Sequence, residues 1–453
     1  MSWTRKGAHW SRPLDCHDKL LQAVAASGQP LGREHWLMVG AARVEFPVAA
    51  DAEGRLRIAW KALRFHHPDI ALTLHEDEKC YDPIDNVKTL EEWVSSTFYV
   101  DGTAASADDL FSRRLKVASA SATCYWIPAS NEVAIVSSHW RWDGRGTIMM
   151  LHEFLVGLAG NDDPWRTPSS FGDEVNNLIP SLDKLIGMPD VPEEAWIHRA
   201  NELLAPFQEG SPSIGLPVNT SEVYPGDTRR IESVIPRETT EMLKNACRSR
   251  HIRLTAALHA SVIVETARYQ HPNANSTGQY KSWAAFDLRK YCPVPFNGPR
   301  HAPSLRMVAL PLISDASADW NSLATSIQLQ YQQSFAPEDS DLMFVRVPYV
   351  EQATAMIAKA TPTTEPNLSN IGMLNEYVQT QYGDVAVRNV WMAVQMLSPQ
   401  LYLHTWSWNG ELHISVCYNE AWYKHDFVEE WLGNLRHTLF TNLDVEDAAW
   451  QVM

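Results

Sequence analysis

The residues best able to do chemistry in this chain are His139 and Asp143, in the segment Ser-His-Trp-Arg-Trp-Asp-Gly at positions 138 to 144. An imidazole titrating near neutrality can take a hydroxyl proton as the oxygen attacks a thioester carbonyl. A base so placed contributes ~10²- to 10⁴-fold in rate. A carboxylate four residues further on is better used to fix the turn, by pairing with a cation or accepting backbone hydrogen bonds, than to touch a substrate. With 17 histidines in the chain, about one His-x-x-x-Asp is expected by chance, so the bare pattern is weak. By itself it favours a buried, hydrogen-bonded histidine at a strand end. Context must carry any catalytic assignment.

The flanking sequence supplies some of that context. Ala122 to Pro128 and Glu132 to Ser138 are β-rich runs joined by Ala129-Ser130-Asn131, which reads as a tight hairpin and puts His139 at a strand end. After Gly144 and Gly146, which would let the backbone turn sharply, Ile148, Leu151, Leu155 and Leu158 mark one face of a helix. The motif is therefore expected on a strand-to-helix turn. Earlier, Trp36 to Phe46 reads as a strand, and Leu56, Trp60 and Leu63 as a helix ended by His67-Pro68. Later, a short helix around Glu194 to Leu204 precedes a strand at Arg230 to Ile235, a helix carrying Met242, Leu243 and Ala246, and another from Leu254 to Tyr269. Leu401 to Trp408 and Glu411 to Tyr418 alternate around Asn409-Gly410, the preferred dipeptide of a type I′ turn. A last helix is expected from about Asp426 to Leu439.

The 453 residues, 45% hydrophobic and 20% charged, exceed one compact core and point to two domains. Gly, Pro and polar residues are concentrated at 160–190 and again at 206–228, and the crossover is placed in the second stretch. This gives an N-terminal lobe at 1–205, a linker at 206–228 and a C-terminal lobe at 229–453. A formal charge of -16 with no basic stripe speaks against a nucleic-acid partner. The N-terminus lacks a signal-peptide core, and the run Ile148 to Ala159 is broken by His152 and Glu153, so no membrane span and a cytoplasmic location are expected. Six scattered cysteines without C-x-x-C spacing speak against a zinc site or a disulfide framework and read as small core residues.

Four segments together resemble a known superfamily. SSHWRWDGRG at 137 to 146, AAFDLRKYCPVPFNG at 284 to 298, SNIGML at 369 to 374 and ELHISVCYNEAWY at 411 to 423 are similar to segments of the acyltransferases that include chloramphenicol acetyltransferase, plant BAHD enzymes and the condensation domains of peptide synthetases. The resemblance is greatest to the fungal secondary-metabolite branch typified by trichothecene 15-O-acetyltransferase. It implies an α/β fold of two chloramphenicol-acetyltransferase-like lobes, each a mixed sheet backed by helices. A channel between the lobes would hold His139, with the acyl donor arriving from one mouth and the alcohol from the other. Residue by residue, it implies that Asp143 turns away from the channel to pair with Arg289, supported by Gly144. Ser369 and Asn370 are candidates for steadying the oxyanion, although Ser-Asn-x-Gly reads equally as a strand-edge turn. Tyr418 and Asn419 read as core and turn residues, and Trp140 and Trp142 as packing residues.

The plant signature Asp-Phe-Gly-Trp-Gly is missing, since Gln381-Tyr382-Gly383-Asp384-Val385 does not match it, which excludes the plant branch. What the resemblance implies for function is transfer of an acetyl or short acyl group from acyl-CoA, as co-substrate, to a hydroxyl of a sesquiterpenoid or polyketide. No permanently bound cofactor, no metal and a monomeric state are expected. Two alternatives stay open: a condensation-type enzyme using a carrier-protein thioester, and a non-acylating channel protein that binds or cyclises a metabolite.

Overall fold

A computed structural model of the chain describes residues 2–48, 50–116, 119–159, 170–209, 212–218, 224–269 and 278–447. Residues 160–169 of the first polar stretch, and 210–211 and 219–223 of the expected crossover, lie outside the described residues.

The chain forms two compact units, one comprising 1–190, 287–307 and 374–395 and the other 191–286, 308–373 and 396–453. This differs from the expected cut at 206–228 for physical reasons visible in each unit. Helix Glu194–Gln208 packs on helix Leu342–Ile357, with Trp196 stacked on Phe344 at 5.1 Å, so it joins the second unit. Two excursions from the later half of the sequence belong to the first unit. Residues 374–395 supply two strands to its sheet, and residues 287–307 supply buried arginines.

In the first unit a six-stranded sheet has the order Gln381–Tyr382, Val385–Val394, Met38–Glu45, Glu132–Ser137, Thr123–Ile127, Phe98–Val100. Thr123–Ile127 and Glu132–Ser137 form the expected antiparallel hairpin, and Asn131 makes its turn with φ 54. The whole of Glu132–Ser137 is buried, as for a strand covered on both faces. Helix Gly144–Ala159 lies against the central strand so closely that a Cβ on Gly40 would meet Thr147 Cγ2 at 2.3 Å. Helix Ala52–His66 packs beside it and stops where Pro68 forbids a further α-turn. A smaller antiparallel sheet, Thr4–Lys6, His9–Pro13, Glu78–Tyr81 and Thr73–His75 in spatial order, has no counterpart in the expectations from sequence.

The second unit holds a four-stranded sheet in the order Asn367–Met373, Tyr402–Trp408, Glu411–Asn419, Thr228–Ile235. Its first pair is parallel and the others antiparallel. The central hairpin turns at Asn409 (φ 51) and Gly410 (φ 86), both left-handed as a type I′ turn requires. Helices Arg237–Ser249, Leu254–Ala267 and His425–Leu443 back this sheet, and Trp431, Leu435, Ile414 and Val416 lie in the shared core. All six cysteines are buried, and none is joined in a disulfide. Among the described residues no helix is long and apolar enough to cross a membrane, and no group of three or more His, Cys, Asp or Glu side chains is placed to hold a metal.

Candidate active site

His139 sits in the turn between strand Glu132–Ser137 and helix Gly144–Ala159, where the sequence pattern put it. Its side chain is partly buried, and its Nδ1 lies 3.1 Å from the carbonyl oxygen of Trp142. A carbonyl only accepts, so Nδ1 carries the proton and donates, and Nε2 is left with its lone pair. Among the described residues Nε2 makes no hydrogen bond. That is the tautomer a general base needs. Burial pushes the imidazole below its ordinary pKa, and hydrogen bonding to the backbone of His139 itself, the negative charge of Asp143 and the Trp142 carbonyl offset this only in part. The ring of Trp36 lies 6.0 Å from that of His139.

Asp143 is buried and fully engaged away from the imidazole. Its Oδ1 accepts from the Gly146 N–H at 2.8 Å and from Arg289 Nη2 at 2.9 Å. Its Oδ2 accepts from Arg289 Nη1 at 3.0 Å and from the Arg306 N–H at 2.8 Å. The bond from Gly146 caps the first turn of the helix, and the bidentate fork matches guanidinium to carboxylate. Burial drives the Asp143 carboxyl up, but Arg289, the Arg306 N–H and the Gly146 N–H outweigh it and hold the group below the usual carboxylate value. Arg289 is 3% exposed and is shared with Asp287 at 2.9 Å, and these carboxylates raise its pKa against the effect of burial. His139, Asp143, Gly144 and Arg289 are thus brought together within the first unit.

The two glycines act differently from the expectation. Neither Gly144 nor Gly146 has a positive φ, so the bend does not depend on left-handed backbone. Gly146 is required by close approach, because a Cβ there would lie 2.7 Å from the Ala302 carbonyl oxygen and 2.9 Å from Trp142 Cβ.

Other side chains hold the turn that the sequence did not single out. Ser138 Oγ donates to Glu34 at 3.1 Å. Arg141, 1% exposed, donates through Nη2 to the carbonyls of Leu72 and Ala120 and lies 4.1 Å over the Trp140 ring. Burial pulls its pKa down to about 10. Trp140 and Trp142 are packing residues, and Trp142 Nε1 donates to Thr147 Oγ1 at 3.0 Å. A buried arginine in the motif is the one signal that could have been read, since Arg141 lies between two tryptophans.

Ser369 and Asn370 lie in the second unit, on edge strand Asn367–Met373, where the register shifts between Asn370 and Gly372 (φ 96). Asn370 Oδ1 accepts from the Gly372 N–H at 2.9 Å, and its amide donates to Thr255 Oγ1. The Ser369 hydroxyl bonds to Tyr402. Asn419 is fully buried and ties the carbonyls of Gly226 and Met396 to the N–H groups of Gly226 and Ala421, while Tyr418 is buried in the core.

No protein-family model matches the chain. Acetyltransferase pigO of Monascus ruber is 28% identical over 466 residues, covering 99% of each chain. O-acetyltransferase pigM of the same organism is 28% identical over 448 residues, covering 96% of this chain and 86% of its own length. A relative in Epichloe uncinata named as a loline biosynthesis cluster 1 transcription factor, lolU1, is 24% identical and covers 97% of this chain and 96% of its own. Among solved structures, the TRI3 trichothecene 15-O-acetyltransferase of Fusarium sporotrichioides aligns with a TM-score of 0.81 at 14% identity, covering 96% of each chain. The epimerization domain of tyrocidine synthetase B aligns at 0.58 and 12%, covering 94% of this chain and 96% of its own. Along nearly its whole length the chain is therefore similar to fungal proteins named as acetyltransferases, and its α/β fold is the one seen in the TRI3 acetyltransferase and the tyrocidine synthetase epimerization domain.

Proposed function

We propose that the chain transfers an acetyl or short acyl group from acyl-CoA to a hydroxyl of a fungal natural product, with His139 as the general base. The observation that carries this reading is the bond from His139 Nδ1 to the Trp142 carbonyl, which leaves Nε2 as a lone-pair acceptor. In the reaction Nε2 takes the proton of the alcohol as its oxygen forms a bond to the thioester carbonyl carbon. The tetrahedral intermediate then collapses, the carbon–sulfur bond breaks, and the imidazolium returns the proton to the departing thiolate. Full-length relatives named as acetyltransferases support acetyl as the group moved.

In this reading Asp143 and Arg289 hold the turn and take no proton. Ser369 and Asn370 are the candidates for the oxyanion. The hydroxyl of Ser369 and one of the two amide hydrogens of Asn370 are engaged within their own unit. A preorganised donor there would be worth ~2.7 to 4 kcal/mol. The enzyme would act as a soluble cytoplasmic monomer on a sesquiterpenoid-like or polyketide alcohol.

A carrier-protein thioester is the second reading for the donor, favoured by the fold shared with the tyrocidine synthetase domain. Purified protein incubated with acetyl-CoA and a panel of terpenoid and polyketide alcohols, read by mass spectrometry, separates the two. Acetylated product from free acetyl-CoA is expected, and its loss on His139→Ala by at least ~10²-fold. Turnover near wild type in His139→Ala would remove the base from the mechanism.

A further inference from the structure

A second set of buried charges, distinct from the Asp143–Arg289 pair, reaches the residues of the catalytic turn. Lys79, on strand Glu78–Tyr81, is 2% exposed, and its Nζ donates to the carbonyl oxygen of Trp140 at 2.7 Å. The ammonium also lies 5.3 Å over the Trp140 ring and 2.6 Å from Asp18 Oδ1. Asp18, 1% exposed, is fixed in turn. Its Oδ2 accepts from Arg12 Nη1 at 2.7 Å and from the Asp15 N–H at 3.1 Å, in the capping box of helix Cys16–Ala26. Arg12, Asp15, Asp18, Asp69, Lys79 and Arg306 line a small cavity. Arg306 closes the ring, since its backbone N–H is one of the donors to Asp143.

A buried ion pair is a poor means of gaining stability, because desolvation of both charges offsets their attraction and apolar residues of similar volume often do as well. What this one does that apolar packing could not is aim a strong donor at one peptide carbonyl. That carbonyl belongs to the residue directly after the base, inside the turn that His139 Nδ1 closes by bonding to Trp142.

We propose that Lys79, held by Asp18, is a positioning residue for the catalytic turn, fixing the Trp140 peptide so that His139 keeps its bond to the Trp142 carbonyl and presents Nε2. This rests on His139 being the base. Lys79 touches no reacting atom. Its effect is on how often the imidazole stands where it can react, and misplacement by about 1 Å can cost ~10²-fold in rate.

The test uses Lys79→Met, Lys79→Arg and the charge-balanced pair Asp18→Asn with Lys79→Met, which removes one charge of each sign from the cluster. In Lys79→Met, kcat should fall by ~10- to 100-fold while KM for alcohol and donor stay within about twofold. Lys79→Arg, which keeps a donor and a charge, should recover most of the loss. A second arm does not depend on turnover. With isotope-labelled histidine, the His139 resonance, assigned by its disappearance in His139→Ala, is titrated by NMR. Loosening the turn admits water, so its midpoint should rise toward that of free imidazole in Lys79→Met. An unshifted midpoint with wild-type kcat in a folded variant overturns the proposal. So does unfolding of both the single and the paired variants without recovery by arginine, which would make Lys79 a residue of the fold alone. If wild-type protein acylates nothing, the base assignment fails, and the titration arm still decides whether Lys79 holds the ring.

Discussion

Removing the Asp143 carboxylate perturbs one group on which four buried donors converge. In Asp143→Ala, Arg289 keeps Asp287 at 2.9 Å and the Ser304 carbonyl at 3.4 Å but loses its bidentate partner. The N–H groups of Gly146 and Arg306 lose their acceptor. Breaking a buried pair from one side costs ~3 to 5 kcal/mol, because the remaining charge is left uncompensated. Each buried N–H without a partner costs ~1 to 3 kcal/mol on its own account, so the lower figure is a conservative bound. At about 2 to 4 °C per kcal/mol for a domain near 200 residues, the melting midpoint should drop by at least ~6 °C. Asp143→Asn keeps the shape and one acceptor and should fall between Asp143→Ala and wild type. Pairing Asp143→Leu with Arg289→Met should recover the part of the loss that comes from the uncompensated charge, while the Gly146 and Arg306 N–H groups stay without their acceptor and the helix without its cap.

The same carboxylate predicts a pH signature. Its folded-state value lies below the usual one, so its contribution is fully present above the unfolded value of about 3.9 and is lost as pH falls through the folded value. The stability gap between wild type and Asp143→Asn should therefore narrow below about pH 4. Calorimetric melts across pH, with turnover measured on the same preparations, read both effects. An Asp143→Ala protein melting within a degree of wild type and turning over at full rate would refute the reasoning.

Three further outcomes follow from the same geometry. Because burial holds the His139 imidazole below its ordinary value, the acidic limb of the pH profile of kcat/KM should lie below the ~6.5 of a free imidazole. A limb at or above that value would mean that another group titrates. Gly146→Ala places a methyl 2.7 Å from a backbone carbonyl and 2.9 Å from Trp142 Cβ, neither of which is a flexible tip. It should cost ~1 to 3 kcal/mol in a melt and shift the turn enough to lower kcat. In the second unit, Asn419→Ala strands several buried backbone groups and should destabilise by ~2 to 4 kcal/mol. Turnover per folded molecule should be unaffected, and a specific loss of kcat would assign Asn419 a chemical role.

What was legible in the sequence was local. The strand before His139 and the helix after it follow from apolar periodicities of two and 3.6. The Asn409-Gly410 hairpin follows from the φ values that dipeptide tolerates. The Arg289 partnership came from the likeness of a segment, since nothing in the local pattern joins residue 289 to residue 143. Other features were illegible because they depend on which distant segments pack together. Strand Val385–Val394 joins the first unit's sheet beside Met38–Glu45 through backbone bonds that carry no residue code. The Arg306 contribution to Asp143 is a peptide N–H, which any residue but proline could supply. The place of Lys79 depends on Asp18 and Trp140, which lie far from it in sequence and reach it only through the fold, and no local pattern marks it. Gly146 reads as a turn residue, whereas its constraint is the Ala302 carbonyl pressed against its Cα.

The division of labour between His139 and Asp143 has a consequence for the chemistry. When a carboxylate bonds an imidazole N–H it raises the base strength and stabilises the imidazolium that forms. Here all four acceptor positions of Asp143 face Arg289, Arg306 and Gly146, and the imidazole is oriented by a neutral carbonyl. Such a base is fixed in tautomer but poorly compensated when charged, in keeping with its depressed pKa. It cannot deprotonate an alcohol in advance. On the proposed reading it would accept the proton only as carbon–oxygen bond formation acidifies the hydroxyl, which would tie proton transfer to attack on the thioester and leave the resting site neutral. The charged groups around it, Lys79, Arg141 and Arg289, act on the peptide carbonyls and carboxylate of the turn and its surroundings. On this account what the fold supplies to the base is geometry, and substitutions that spare His139 but loosen its turn should cost rate more than they cost substrate binding.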